Sequence, residues 1–156
     1  MKLLKRIGII DIGSNSIRLV VFDGPKRSPL YLYNEKVFFK LGMQSFGGKP
    51  FDTNTLEAVS RIISRYVSIC RNMEISKIIM FGTSALREAS NSNVLAESIR
   101  KKTNVGVDII SGDKEALILI YRPKKKALIA LLLKKLLSQQ EKELNQFRMF
   151  LLQFQH

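Results

Sequence analysis

Apolar positions gather first at Ile7-Gly8-Ile9-Ile10, break at Asp11, and resume at Ile17-Arg18-Leu19-Val20-Val21-Phe22 after the small polar stretch Gly13-Ser14-Asn15-Ser16. Two β-branched runs around a short turn predict a hairpin. Strands are expected at about 6–11, 17–23 and 30–40, with Asp23-Gly24-Pro25 and Ser28-Pro29 turning the chain between the last two. Residues 42–50 hold three glycines and read as a flexible loop. The period then lengthens. Asn54 and Glu57 have capping-box spacing, and Leu56, Val59, Ile63, Tyr66, Val67 and Cys70 recur at helical intervals. Lys77-Ile78-Ile79-Met80-Phe81 predicts a buried strand ending at Gly82-Thr83-Ser84. A short helix is expected at 85–89. Asn91-Ser92-Asn93 can cap another through about Lys102, and 105–110 reads as a further strand. Ser111-Gly112 then leads into a helix beginning near Asp113.

The order is three strands, helix, strand, helices, strand, helix. Hairpin-linked strands pair antiparallel, whereas strands separated by helices pair parallel by crossover. The expected fold is α/β, a mixed sheet with antiparallel first strands, parallel later strands and helices packed on it. Ligands of such sheets sit beyond the carboxyl ends of the strands. Asp11, Gly82 and Ser111 all follow strands, so three loops are expected to share one rim.

Composition adds a limit and a bias. The chain has 156 residues, 46% of them hydrophobic, and a formal net charge of +13. The charge is uneven. Residues 1–121 carry 18 Lys/Arg against 11 Asp/Glu, while residues 122–156 carry eight against two. The bias suits an anionic partner, but much of it describes the last segment. Cys70 is the only cysteine, which excludes an intrachain disulfide and reads as a small core residue. The single histidine is His156, which argues against a histidine general base. Asp11 interrupts the first apolar run too early for a signal peptide. The longest late apolar run, 127–133, has seven residues, short of the roughly 18 a membrane helix needs. A soluble cytoplasmic chain is expected.

The turn 13–16 has two readings. Its backbone N–H groups and Ser/Asn side chains can converge on one anion, with Asp11 beside them to hold a metal or orient water. Otherwise it is an ordinary hairpin with a polar tip. Arg87 is a phosphate contact or a solvated cation. Glu115 is a reactive carboxylate or a residue complementing a helix start.

Three stretches tip these choices. Asp11-Ile12-Gly13-Ser14-Asn15-Ser16-Ile17-Arg18, Gly82-Thr83-Ser84-Ala85-Leu86-Arg87-Glu88-Ala89-Ser90-Asn91 and Ile110-Ser111-Gly112-Asp113-Lys114-Glu115-Ala116 occur in that order. Over about residues 5–121 the chain resembles the N-terminal part of the exopolyphosphatase / guanosine pentaphosphate phosphohydrolase (Ppx/GppA) family of the actin–Hsp70–sugar kinase superfamily. The resemblance implies an actin-like ATPase (ribonuclease H-like) half-domain. Gly13, Ser14, Asn15 and Ser16 would form the first phosphate-binding loop. Gly82, Thr83 and Ser84 would bring donors to a second phosphate face, and Arg87 would contact the phosphate chain. Asp11 would lie near a divalent metal, Mg2+. Glu115 aligns with the catalytic glutamate that activates water, although Lys114 beside it would lower its basicity. The substrate class implied is polyphosphate or guanosine pentaphosphate. Nucleic acid is not expected as a partner, and a homodimer or a complementing second lobe stays open.

The family pattern stops at about Arg122. A further Asp-Ile-Gly-Gly-Gly-Ser-type motif is absent, and a Leu/Lys/Gln-rich stretch, expected to be an extra C-terminal helix, occupies residues 122–156. The expectation is an incomplete N-terminal domain at 1–121, a tail of non-family origin and little phosphatase activity. The alternative is a non-catalytic anion-binding or interaction module acting through its basic tail.

Overall fold

The computed structural model describes residues 6–23, 30–75 and 77–112. Its elements run β1 (Ile7–Ile12), β2 (Ser16–Phe22), β3 (Tyr31–Phe38), α1 (Leu41–Ser45), a 3-10 turn (Phe46–Gly48), α2 (Thr53–Asn72), β4 (Lys77–Gly82), α3 (Ser84–Glu88), α4 (Ser92–Thr103) and β5 (Asp108–Ile109). The strands form one sheet in the order β3-β2-β1-β4-β5. β1 pairs antiparallel with β2, and β2 with β3; β1 pairs parallel with β4, and β4 with β5. This is the mixed sheet the alternation of elements predicts. It places the carboxyl ends of β1, β4 and β5 on one edge.

Side-chain alternation divides the sheet into two faces. Ile10, Ile12, Ile17, Leu19, Val21 and Met80 pack against Val59, Ile63, Tyr66, Val67 and Cys70 of α2 and Leu95 and Ile99 of α4, and all are buried. The other face buries Ile7, Ile9, Phe22, Ile79 and Phe81. Runs buried on both faces explain why β1 and β4 read as near-continuous apolar sequence. Cys70 is the core residue expected. Its Sγ would lie 2.8 Å from a Cβ added at Gly8, so α2 approaches β1 closely because Gly8 has no side chain. Burial pushes its thiol pKa up to about 11.

Local details depart from the sequence reading. The stretch read as a loop at 42–50 contains α1 and the 3-10 turn, organised by fully buried Leu41 and by Ser45, whose hydroxyl donates to Leu41 O at 3.3 Å. The cap of α2 is Asp52 rather than Asn54: Asp52 Oδ1 accepts from Thr55 N–H at 2.6 Å. That bond holds the Asp52 carboxyl below its ordinary pKa. The strand expected at 105–110 pairs only at Asp108 and Ile109. The turn at 24–29, the helix from Asp113, the domain limit at 121 and the segment 122–156 lie outside the described residues. Among the described residues, no helix is long and apolar enough to cross a membrane.

Candidate functional site

The rim begins where β1 ends. Gly13 N–H donates to Ser16 O at 2.9 Å, closing the hairpin turn. Two neighbouring amides then take the carbonyls at its tip. Gly42 N–H donates to Ser14 O at 2.8 Å, and Phe39 N–H donates to Asn15 O at 3.0 Å. Those carbonyls are the groups that would repel an anion. Their engagement leaves the amides of Ser14 and Asn15, which have no acceptor among the described residues, as the donors of the turn. Gly42 can approach because it lacks a Cβ, which would sit 2.9 Å from Ser14 Cβ.

The second turn lies beside the first. Thr83 N–H donates to Ile12 O at 3.2 Å, so it continues the parallel ladder past Gly82. A Cβ at Gly82 would stand 2.4 Å from Leu86 Cδ2 and 3.1 Å from Leu86 Cβ, and Leu86 is fully buried. Only glycine lets the chain bend into α3 this tightly. The bend brings Ser84 Oγ to 2.5 Å from Ser14 Oγ, across 70 residues of sequence. One hydroxyl of such a pair donates to the other, and the accepting one keeps its own hydrogen to donate elsewhere.

The third loop joins through Arg87. Ile110 N–H donates to Gly82 O at 3.0 Å, and Arg87 Nη1 donates to Ile110 O at 2.8 Å. A Cβ at Gly112 would meet Arg87 Nη2 at 3.9 Å. Arg87 therefore reaches the start of the segment that carries Glu115. Glu115 itself lies outside the described residues.

Asp11 sits one residue before the end of β1, opposite Arg18 on β2 and Phe81 on β4. Alternation sets its side chain on the face away from α2, and its Oδ1 is buried. Arg18 Nε donates to Asn34 Oδ1 at 2.9 Å. Among the described residues, no three His, Cys, Asp or Glu side chains cluster as a complete metal cage. One carboxylate next to hydroxyl-bearing turns is nonetheless the donor set that suits Mg2+, which takes one or two carboxylates and fills the rest with water and phosphate oxygens.

The structure thus brings together Gly13, Ser14, Asn15 and Ser16 with Gly82, Thr83 and Ser84, and attaches Arg87 to the third loop. Sequence reasoning missed Phe39 and Gly42, which shape the first turn through backbone amides. The glycine at 42 is the available signal, a residue without a side chain where the backbone must approach Ser14 closely.

The chain is similar to known proteins over most of the described residues. A family model described as the Ppx/GppA phosphatase family matches residues 9–123. The chain is 29% identical over 116 residues to a bifunctional 3-dehydroquinate synthase/phosphatase of Fusobacterium nucleatum, covering 70% of the chain and 18% of that protein. It is 25% identical over 112 residues to exopolyphosphatase 1 of Mycobacterium tuberculosis, covering 71% of the chain and 33% of that protein. Among solved structures, an exopolyphosphatase from Cytophaga hutchinsonii superposes with a TM-score of 0.66 at 32% identity, over 71% of this chain and 36% of that one. The Aquifex aeolicus Ppx/GppA family member superposes with a TM-score of 0.64 at 21% identity, over 70% and 36%. The chain spans a third or less of the length of the curated relatives described here.

Proposed function

The chain belongs to the Ppx/GppA phosphatase family, and from that membership we propose that its rim binds the terminal phosphate of a phosphoanhydride chain, polyphosphate or guanosine pentaphosphate, for hydrolysis of the last anhydride bond. Similarity to proteins named exopolyphosphatase supports the substrate class. The observation that carries the reading is the 2.5 Å contact between Ser14 and Ser84 hydroxyls. It makes one donor surface of two turns that are distant in sequence.

Phosphoryl transfer leaves the protein little covalent work, so positioning and charge neutralisation dominate. Ser14, Asn15 and Ser16 would donate to oxygens of the terminal phosphate from one side, on a turn that Gly13 closes, and the hydroxyls of Thr83 and Ser84 from the other, on a bend that Gly82 permits. Arg87 would meet the next phosphate; the guanidinium's five donors allow more than one partner. Mg2+ held at Asp11 would neutralise further oxygen charge when bound. Glu115 would orient the attacking water and take its proton.

The 156-residue chain spans only part of its relatives, and binding with little turnover is the expected behaviour of this chain assayed alone. Calorimetric titration with inorganic tripolyphosphate and Mg2+, paired with a phosphate-release assay on long-chain polyphosphate, tests this. Saturable binding that weakens in Ser14→Ala supports the reading. Absence of binding contradicts it. Rapid turnover abolished by Glu115→Gln would contradict only the expectation of slow release.

A further inference from the structure

Asn91 closes the second motif, and its place before α4 suggests a helix cap. The structure gives its side chain a different task. Asn91 makes no capping bond with its side chain. Instead Asn91 Nδ2 donates to Phe51 O at 2.8 Å, and Phe51 N–H donates to Asn91 Oδ1 at 2.8 Å. One amide side chain thereby satisfies both backbone groups of a residue 40 positions earlier, as a neighbouring strand would. Phe51 is 3% exposed and belongs to the main core, so these backbone groups have little access to water and need such a partner.

Phe51 ends the segment that shapes the first turn. The opposite end of that segment supplies the Phe39 and Gly42 amides that hold the Asn15 and Ser14 carbonyls. Between them, α1 is fixed by buried Leu41, lies against α3, and is linked to α2 by the bond from Thr55 Oγ1 to Gln44 Oε1. Residues 39–51 are therefore tied down at two ends, on the 13–16 turn and on Asn91.

We propose that Asn91 is a positioning residue for phosphate binding: its amide pairing with Phe51 holds residues 39–51 in the place from which Gly42 and Phe39 fix the peptide planes that follow Ser14 and Asn15, and so aim the amides of the first turn at the anion. This rests on the phosphate-binding reading of the rim. It extends that reading, because Asn91 acts at the first turn although its sequence belongs to the motif of the second.

The experiment is hydrogen exchange on the 156-residue chain with residue resolution, together with tripolyphosphate titration in Mg2+. In the unaltered chain, the amides of Phe39, Gly42 and Phe51 are expected to share one opening, with protection within about threefold of each other. In Asn91→Ala, Gly42 and Phe39 exchange at least about tenfold faster relative to Ile9 in β1, and tripolyphosphate affinity falls about tenfold under conditions where the chain stays folded. Asn91→Asp keeps the acceptor for Phe51 N–H and sets an oxygen against Phe51 O; it should give the same pattern if the alanine variant does not fold. Independent openings at Phe51 and Gly42 in the unaltered chain would overturn the proposal. So would a variant that loses global stability with unchanged relative protection at Gly42 and unchanged affinity. Coupled exchange in a chain that binds no tripolyphosphate would instead refute the phosphate-binding reading and leave the mechanical coupling standing.

Discussion

The two turns of the rim are secured by opposite means. The turn after β1 is held from outside, by amides of Phe39 and Gly42 that follow β3. The turn after β4 is held from within. Gly82 closes on Leu86, and Thr83 O accepts from the amides of Leu86 and Arg87 at 3.1 Å each. The first is thus held by a segment outside the sheet, while the second is held by its own helix. Affinity should be adjustable at the first turn, and stability should be sensitive at the second.

The largest expected effect lies at the second turn. Gly82→Ala drives a methyl into buried Leu86 and should cost about 1–3 kcal/mol in denaturant unfolding, as overpacking does. A cost near zero would mean that this turn is not built on packing. Next comes Gly42→Ala, whose methyl meets Ser14 Cβ at 2.9 Å. It should weaken tripolyphosphate binding about tenfold, near 1.4 kcal/mol, with a smaller loss of global stability. If stability falls and affinity does not, the contrast between the turns collapses.

Cys70 lies under β1, against Gly8 and away from the rim. Its thiol pKa is raised by burial to about 11, so the neutral form is favoured in the folded chain. The stability this contributes is full below the ordinary thiol value of about 8.5 and is lost as pH rises toward about 11. Cys70→Ala should make the alkaline decline in melting temperature shallower without changing the relative protection of the two turns. The smallest effect concerns Asp52, next to Phe51. Its carboxyl pKa is lowered by the Thr55 N–H bond, so the stabilisation exists above the ordinary carboxylate value and disappears as pH falls through the lowered one. Acidification should loosen Gly42 exchange before that of Thr83.

These cases also mark what the sequence could reveal. The strands β1, β2 and β4, the length of α2 and the shared edge of the three loops follow from apolar period and from crossover rules, which are properties of contiguous residues. α1 escaped because five residues, Leu41–Ser45, are too few to display a period; tertiary burial of Leu41 makes the helix, not propensity. The cap of α2 is not legible locally because Asp52 and Asn54 are both capable, and only the fold selects which oxygen meets Thr55 N–H. β5 is shorter than apolar Val105 and Val107 imply: although β4 extends back to Lys77, only Asp108 and Ile109 pair with it, and Val105 N–H donates to Thr103 Oγ1 instead. The amide pair of Asn91 with Phe51 leaves no sequence signature at all, since nothing local joins positions 51 and 91.

The central claim is that the turns after β1 and β4 form one anion site. Amide chemical-shift titration with tripolyphosphate and Mg2+ tests it most directly. The account predicts that Ser14, Asn15, Thr83 and Ser84 shift together and saturate at one dissociation constant. Shifts confined to one turn, or two turns saturating at different concentrations, would contradict it.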